Sequence, residues 1–259
     1  METEYEKPLV LVVDDDPTNL RILVSKLNRE YRLGVAKSGT KALEYMGKQI
    51  PDLVLLDVMM PDMDGYETIK IMRERGYVLP VVALTAHAMQ SDKQRCLDAG
   101  MDAYLSKPFK QALLFDTIHS LLPEYYRVPE AQAESPARPS VPDAESWAFL
   151  PPCFSLETVI QTGLSPQQYP SILQSFARNH AQDAALFRHA VRTHDWESLR
   201  ERAHALKGAS ANLGALHLRD MARTLELEAQ SQLDKGYPNA ALSTLQGRPL
   251  AALLPELEE

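Results

Sequence analysis

The chain has 259 residues, and at roughly 150 residues per domain this length is typical of two domains. Hydrophobic residues make up 45% of the sequence and charged residues 24%, a globular composition that excludes a wholly disordered chain and a fibrous repeat. Asp and Glu outnumber Lys and Arg by 35 to 27, so the net charge is −8 and a broad nucleic-acid surface is disfavoured.

Cysteine usage and hydropathy indicate the compartment. Cys96 and Cys153 are too few for a disulfide framework or a cysteine-based zinc site, and they fit a reducing environment. No apolar run approaches the roughly 20 residues of a membrane helix, and the acidic residues 1–7 lack the apolar core of a signal peptide. We therefore expect a cytoplasmic protein that neither inserts into a membrane nor binds nucleic acid.

The first half of the chain alternates between strand and helix patterns. Continuous apolar runs predict five strands, at residues 9–13, 31–36, 52–57, 81–85 and 103–106. Apolar residues at helical spacing predict five helices, near residues 20–27, 42–46, 66–72, 89–99 and 112–122. Alternating strands and helices form a parallel sheet with helices on both faces. We therefore predict a doubly wound α/β domain over residues 7–122.

A proline-rich segment follows this domain. Residues 123–152 contain seven prolines mixed with Ala, Glu and Ser, and they offer few apolar side chains for burial. We interpret this segment as a linker. Four apolar residues near its end are candidates for docking on a folded surface, namely Trp147, Phe149, Leu150 and Phe154.

After the linker, Leu, Ala, Glu, Arg and Gln recur at helical spacing. The pattern predicts four helices, at residues 171–193, 195–213, 216–235 and near 239–254. Asp195 is a good N-cap, and Gly214 and Gly236 follow their helices as C-caps do. Because short connections between long amphipathic helices are typical of antiparallel bundles, we predict an all-α bundle over residues 153–255.

Polar side chains stand at the predicted strand ends of the first domain: Asp14, Asp15, Asp57, Thr85 and Lys107. In a parallel sheet these ends meet at one edge, where three carboxylates repel one another and call for a hard cation such as Mg²⁺. A lysine and a threonine beside a metal suit a phosphoryl group, and a carboxylate there can form an acyl phosphate. Any one acid alone is better explained as a solvated group or a helix cap, as for Asp15 or for Asp62 or Asp64, but the whole set is hard to explain as capping.

These residues carry a resemblance to a known family. Residues 7–122 resemble a response-regulator receiver domain, and the matching stretches are residues 12–15, 55–65, 83–86 and 107–108. The resemblance implies a flavodoxin-like fold with Asp57 as the phosphoacceptor. It also implies that Asp15, Asp57 and the backbone carbonyl of Met59 hold Mg²⁺, with Asp14 nearby through water.

The same resemblance implies further roles. Thr85 and Lys107 would contact the phosphoryl oxygens, Tyr104 would be the switch aromatic, and Pro108 would follow a cis peptide bond. The family varies at the positions of Asp16, Met59 and His87, so these residues do not predict the lifetime of the phosphate.

One histidine of the predicted bundle has unusual neighbours. His204, Lys207 and Gly208 gather on the more exposed side of their helix, whereas other histidines such as His180 lie among charged residues and are expected to be solvated. A neutral, exposed imidazole can attack phosphorus, and a bare glycine lets another protein approach closely. On His204 alone, a surface histidine beside a packing glycine is the simpler interpretation.

The full run over residues 203–215 changes this interpretation. It resembles the histidine-containing phosphotransfer (HPt) domain, a four-helix bundle with one phosphorylatable histidine, and the resemblance covers roughly residues 155–255. It implies that His204 carries the phosphoryl group, that Lys207 stabilises it and that Gly208 makes room for a docked receiver.

An acyl phosphate on Asp57 and a phosphoramidate on His204 are the donor and acceptor of a His–Asp phosphorelay. We therefore predict a phosphorelay protein of a two-component system. Because no glycine-rich nucleotide cradle occurs in the sequence, we expect no ATP-dependent kinase activity. A separate sensor histidine kinase would load Asp57, and a separate response regulator would receive phosphate from His204. The arrangement resembles the C-terminal half of hybrid sensor kinases, although the start at Met1 favours a free-standing protein.

Two other functions stay open. An aspartate-nucleophile phosphatase usually has a second acid two residues after its nucleophile, where this chain has Met59. Alternatively, the bundle is only a phosphorylation-controlled interaction surface. A DNA-binding output is disfavoured, since no basic recognition helix follows the first domain.

Overall fold

A computed structural model describes residues 7–85, 90–122 and 144–235 of the chain. Its first unit is a parallel sheet of five strands in the order β2-β1-β3-β4-β5. The strands are β1 (Leu9–Val13), β2 (Arg32–Ala36), β3 (Leu53–Asp57), β4 (Val81–Thr85) and β5 (Ala103–Ser106). The helices that follow them are α1 (Pro17–Leu27), α2 (Gly39–Met46), α3 (Gly65–Glu74), α4 (Gln90–Asp98) and α5 (Gln111–Leu121).

Helices cover both faces of this sheet. Strands β1, β3 and β4 are buried along their whole length, which explains their continuous apolar sequences. Alternate residues of each strand enter different cores: Leu11 and Val13 pack in one cluster, whereas Val10 and Val12 pack in the other. The predicted doubly wound fold is therefore confirmed. The order of strands reverses between β1 and β3, so the crevice beyond their carboxyl ends is the place for a ligand.

The second unit is helical, as predicted. Its helices are α6 (Leu156–Gln161), α7 (Tyr169–His180), α8 (Asp183–Thr193), α9 (Trp196–Leu213) and α10 (Leu216–Asp234). They enclose one apolar core, to which Phe187, Leu199 and Leu225 contribute fully buried side chains. The predicted single helix over residues 171–193 was wrong, because the structure has two helices there: α7 ends at His180 and α8 begins at Asp183. The predicted helix near 239–254 and its preceding Gly236 lie outside the described residues.

The last part of the predicted linker is folded onto the helical unit. Residues Ala144–Trp147 form a short 3₁₀ helix, and the indole of Trp147 is buried edge-on against the ring of Tyr169, with 5.5 Å between ring centroids. Phe154 meets the same ring edge-on at 6.3 Å. The folded part of this unit thus begins earlier than the predicted residue 153, since a buried indole stabilises the segment before it.

The two units contact each other through α1. Helix α1 packs against α7 and α9, and the fully buried Ile22 of α1 belongs to the apolar core of the helical unit. This contact places α9 over the carboxyl edge of the sheet. Within the described part of the chain, no helix has both the length and the apolar character that a membrane span requires.

Candidate functional site

Three carboxylates form a cluster where β1 and β3 end, and we call Asp14, Asp15 and Asp57 the acid pocket. One oxygen of each residue lies within 4.8 Å of the others. Asp14 and Asp57 are buried, and Asp15 is half-buried. Burial and the adjacent Asp14 raise the pKa of Asp15 to about 7, and burial also holds the pKa of Asp57 well above its usual value. The pocket thus brings together oxygen ligands, and a bound cation would offset the repulsion between their negative charges.

Lys107 reaches into the acid pocket from the end of β5. Its Nζ donates hydrogen bonds to Asp14 Oδ2 at 2.8 Å and to Asp57 Oδ2 at 2.5 Å. Burial alone would lower the pKa of Lys107, but the two carboxylates raise it above its ordinary value, so the ammonium stays charged. The peptide bond to Pro108 is cis, as predicted.

The other predicted residues of this unit lie at or near the same edge. Thr85 is buried at the end of β4, and its carbonyl accepts a hydrogen bond from Lys107 N at 2.7 Å. Met59 is half-buried, and its N–H donates to Asp57 Oδ1 at 3.3 Å. Tyr104 is half-buried on β5, where Lys93 Nζ lies 5.2 Å from its ring centroid. His87 lies outside the described residues.

Capping explains only the neighbours of the acid pocket. Asp16 Oδ1 accepts from Thr18 N at 2.7 Å and from Asn19 N at 3.0 Å, so Asp16 caps α1 and the capping alternative for Asp15 was wrong. Asp64 caps α3, as the alternative for that residue proposed. Asp15 therefore has no capping duty in α1 that would explain its position in the pocket.

His204 lies in the middle of α9 and is only 3% exposed. The prediction that its stripe faces solvent was wrong, because helix α10 and the first unit both cover it. Lys207, one turn further on, is buried as well. A helical-wheel projection of α9 separates its apolar face from the face that contains His204. It does not show which other elements cover the face with His204.

Glu226 of α10 contacts the side chains of both His204 and Lys207, and the sequence did not predict this contact. Its Oε1 lies 2.6 Å from His204 Nδ1, and its Oε2 forms an ion pair with Lys207. Burial would raise the pKa of Glu226, but the bonds to His204 and Lys207 lower it to about 2. The one available signal was an acid within the apolar stripe of α10 that contains Ala222, Leu225 and Ala229.

Burial and the contact with Glu226 together fix the protonation state and the tautomer of His204. Burial lowers the pKa of His204 to about 4, against the opposing effect of Glu226, so the ring is neutral at pH 7. An ionised carboxylate only accepts hydrogen bonds, so Nδ1 carries the proton. The lone pair of the ring therefore lies on Nε2.

Gly208 lies where α9 packs against Lys107 of the acid pocket's surroundings. A Cβ atom at Gly208 would lie 3.3 Å from Lys107 Cδ and 3.8 Å from its Nζ, and that Nζ is hydrogen-bonded to Asp57. The absence of a side chain therefore lets α9 pack directly on Lys107. This contact brings the stripe of His204 and Gly208 over the acid pocket.

Two polar contacts flank this approach. His180 of α7 lies between Asp16 and Asp183, so the prediction that it is solvated was wrong. Asn212 of α9 is fully buried and bonds to Asn19 and to the backbone of Phe109. Both contacts join the two units.

Comparison with known families identifies the two units. The family model of the response regulator receiver domain matches residues 10–119, and that of the Hpt domain matches residues 171–258. The chain thus contains a receiver domain followed by an Hpt domain. Together the two matches leave residues 120–170 between them, which include the 3₁₀ helix and α6.

Curated relatives match through the receiver domain. The chain is 45% identical over 111 residues to sensor histidine kinase RcsC of Salmonella typhimurium, a match that covers 42% of this chain and 12% of that protein. It is 38% identical over 120 residues to signal transduction histidine-protein kinase BarA of Escherichia coli K12, covering 45% of this chain and 12% of that protein. The chain thus spans a small part of the relatives that it matches.

Solved structures also match over the receiver domain. The receiver domain of sensor histidine kinase PA1611 from Pseudomonas aeruginosa, described with a magnesium ion in its active-site cleft, is 36% identical with a TM-score of 0.42. That match covers 44% of this chain and 97% of the other. Chemotaxis protein CheY4 of Vibrio cholerae is 30% identical with a TM-score of 0.43, covering 45% of this chain and 99% of the other.

The state of His204 in the Hpt domain can be tested by NMR. We expect its ring to stay neutral, with the proton on Nδ1, until the pH falls towards 4, whereas an ordinary histidine gains a proton near 6.5. The depressed pKa makes the unfolded chain bind more protons between these values, so His204 contributes stability above pH 6.5 that is lost as the pH falls. Histidine ¹⁵N shifts measured against pH report both the tautomer and the pKa.

The matched variant is Glu226→Gln, whose amide has the same shape but no charge. We expect it to retain the fold, to lose the ion pair with Lys207 and to lower the rate of His204 phosphorylation about 10- to 100-fold, the effect of losing a charge-assisted hydrogen bond. A His204 that titrates near 6.5 in the intact chain, or an unchanged rate in Glu226→Gln, would contradict this assignment.

Proposed function

We propose that the chain relays a phosphoryl group between Asp57 of its receiver domain and His204 of its Hpt domain. The matches to both families support a His–Asp phosphorelay function. The observation that carries the proposal is the packing of Gly208 against Lys107, because Lys107 is bonded to Asp57 and Gly208 lies one turn from His204. Because residues four apart share one face of a helix, His204 lies on the face of α9 that packs on Lys107.

The acid pocket fits the divalent cation that the receiver family implies. Three carboxylates whose oxygens lie within 4.8 Å of one another are the hard ligands that Mg²⁺ accepts. We propose that Asp15, Asp57 and the Met59 carbonyl hold the ion and that Asp14 lies beside it. Bound there, Mg²⁺ supplies charge neutralisation for the phosphoryl oxygens. Thr85 and Lys107 would contact the same oxygens.

Transfer to the Hpt domain needs one bond to form and one to break. His204 Nε2 attacks the phosphorus of the Asp57 acyl phosphate, the P–O bond to the Asp57 carboxylate breaks, and the new N–P bond forms. The ammonium of Lys107, whose Nζ lies 2.5 Å from Asp57 Oδ2, stabilises the negative charge of the carboxylate that is released. The ring of His204 becomes positively charged, and Glu226 opposite Nδ1 stabilises this charge. The reverse step uses the same groups.

The partners follow from this chemistry. A sensor histidine kinase would supply the phosphoryl group to Asp57, and the receiver of a response regulator would accept it from His204. The chain itself would act as a phosphotransfer protein whose receiver catalyses its own phosphorylation, in the cytoplasm. In the docked arrangement Asp57 is 2% exposed and His204 3%, so either partner needs the two domains to separate.

The internal relay is tested by its dependence on concentration. Because Asp57 and His204 belong to one chain, the linker between their domains gives each an effective concentration of roughly 1 mM at the other. We therefore expect label on Asp57 of the intact chain to reach His204 at a rate that is independent of protein concentration. Base treatment distinguishes the two products, because it cleaves the acyl phosphate and spares phosphohistidine.

The control mixes two variants that can only transfer between molecules. At micromolar concentration, phosphorylated His204→Ala chain and Asp57→Asn chain should transfer roughly 100- to 1,000-fold more slowly than the intact chain. Equal rates would show that joining the two domains in one chain does not accelerate the transfer. Label that never reaches His204 in the intact chain would refute the proposed relay and favour an interaction module, whereas rapid release of phosphate from Asp57 alone would favour a phosphatase.

A further inference from the structure

The first contact between the domains outside the acid pocket joins α1 to α7. His180 Nε2 lies 3.1 Å from Asp16 Oδ2, and His180 Nδ1 lies 2.7 Å from Asp183 Oδ2. Its ring also packs on Phe176, with 4.5 Å between centroids. Burial lowers the pKa of His180, but the two carboxylates raise it to about 9, so a positive ring lies between two acids that would otherwise repel each other.

The second contact joins the stripe of His204 to the receiver. Asn212, two turns along α9 from His204, donates through Nδ2 to Asn19 Oδ1 at 2.9 Å and accepts at Oδ1 from Phe109 N at 3.3 Å. Asn19 in turn donates to Asp14 Oδ1 at 3.1 Å. Since Asn212 bonds to both sides of the pocket, it fixes the register of α9 above it.

We infer that His180 and Asn212 determine which receivers exchange phosphate with His204. The external receiver partner then has an acidic residue directly after its acidic pair and an asparagine three residues later. In this chain those positions are Asp16 and Asn19. The inference rests on the proposed relay and names its partner.

The acid pocket cannot provide this selectivity. Any receiver that gives a phosphoryl group to His204 needs a carboxylate nucleophile, a cation site and a lysine, so these groups do not distinguish one receiver from another. Asp16 and Asn19 lie beside the pocket, on the α1 surface that the Hpt domain covers. A receiver with an apolar or basic residue in place of Asp16 leaves His180 buried without its partner or facing a like charge. Selectivity then comes from the cost of these unpaired groups.

The contact of His180 with Asp16 can be tested in the intact chain. Asp16→Asn removes the charge but retains the helix cap, because Asn and Asp cap equally well. We expect Asp16→Asn and His180→Gln each to slow transfer from Asp57 to His204 about tenfold, and the double variant to be no slower than either. Rates are normalised to the label on Asp57, and His189→Gln, an exposed histidine of α8, is the control that transfers as the parent does.

Selection of the external partner has its own measurement. The Asp57→Asn chain accepts label at His204 only from added receiver domains that acetyl phosphate has phosphorylated. We expect receivers with the acid and the asparagine to transfer about tenfold faster than receivers without them, and Asn212→Ala and His180→Gln to remove this preference.

The outcomes separate the inference from the relay itself. The inference is overturned if His180→Gln transfers as the parent does, if it slows transfer equally with Asp16→Asn present, or if both groups of receivers transfer alike. An intact chain that never moves label from Asp57 to His204 refutes the internal relay instead. The measurement with external receivers still decides the inference in that case.

Discussion

The Asp57→Asn chain is expected to take up no label from acetyl phosphate with Mg²⁺, whereas the His204→Ala chain is labelled as fully as the parent. An amide at residue 57 is not a nucleophile, while Asp14 and Lys107 remain in place. Asp14 is held by Asn19 and Lys107, so its orientation does not depend on Asp57 alone. The expected loss of labelling therefore results from the missing carboxylate oxygen at residue 57, and the rest of the acid pocket is preserved.

A matched control makes this loss specific. Asp98→Asn introduces the same chemical change on the exposed surface of α4, away from the acid pocket, and should be labelled as the parent is. The measurement is the amount of base-labile phosphate per chain at equal times. Undiminished label on Asp57→Asn, or equal loss in Asp98→Asn, would refute the assignment of the phosphoacceptor.

The receiver half could be predicted from the sequence because its local signals agree. Apolar runs such as residues 9–13 and 81–85 read as buried strands, and they are buried on both faces in the structure. Parallel topology then brings Asp14, Asp57 and Lys107 to one edge without any knowledge of side-chain contacts. For this reason the predicted fold is confirmed, and the three side chains lie together at that edge.

The helical half was less predictable because tertiary contacts decide its details. The break between α7 and α8 contains neither Gly nor Pro, and His180 beside it lies between Asp183 and Asp16 of the other domain. Glu226 was missed because a helical acid is ordinarily solvated. Its burial depends on His204, 22 residues away in sequence, and on Lys207.

The transfer step itself is tested most directly at Gly208. Replacement of Gly208 by Gln is expected to lower transfer from Asp57 to His204 at least about 100-fold, since the loss of a well-packed docking contact costs several kcal/mol. A Cβ at this position already meets Lys107 Cδ at 3.3 Å and Asn19 Nδ2 at 3.7 Å, so a longer side chain keeps the two domains apart. Alanine should have an intermediate effect.

The same substitution should leave the helix intact or more stable, because Gly within a helix costs about 1 kcal/mol relative to Ala. Circular dichroism and thermal unfolding measure this stability. Label from acetyl phosphate should reach Asp57 at least as fast as in the parent, since separation of the domains exposes a carboxylate that is otherwise 2% exposed. A Gly208→Gln chain that transfers like the parent would show that phosphate moves through some other arrangement, and loss of helix would show that Gly208 serves the packing of the bundle.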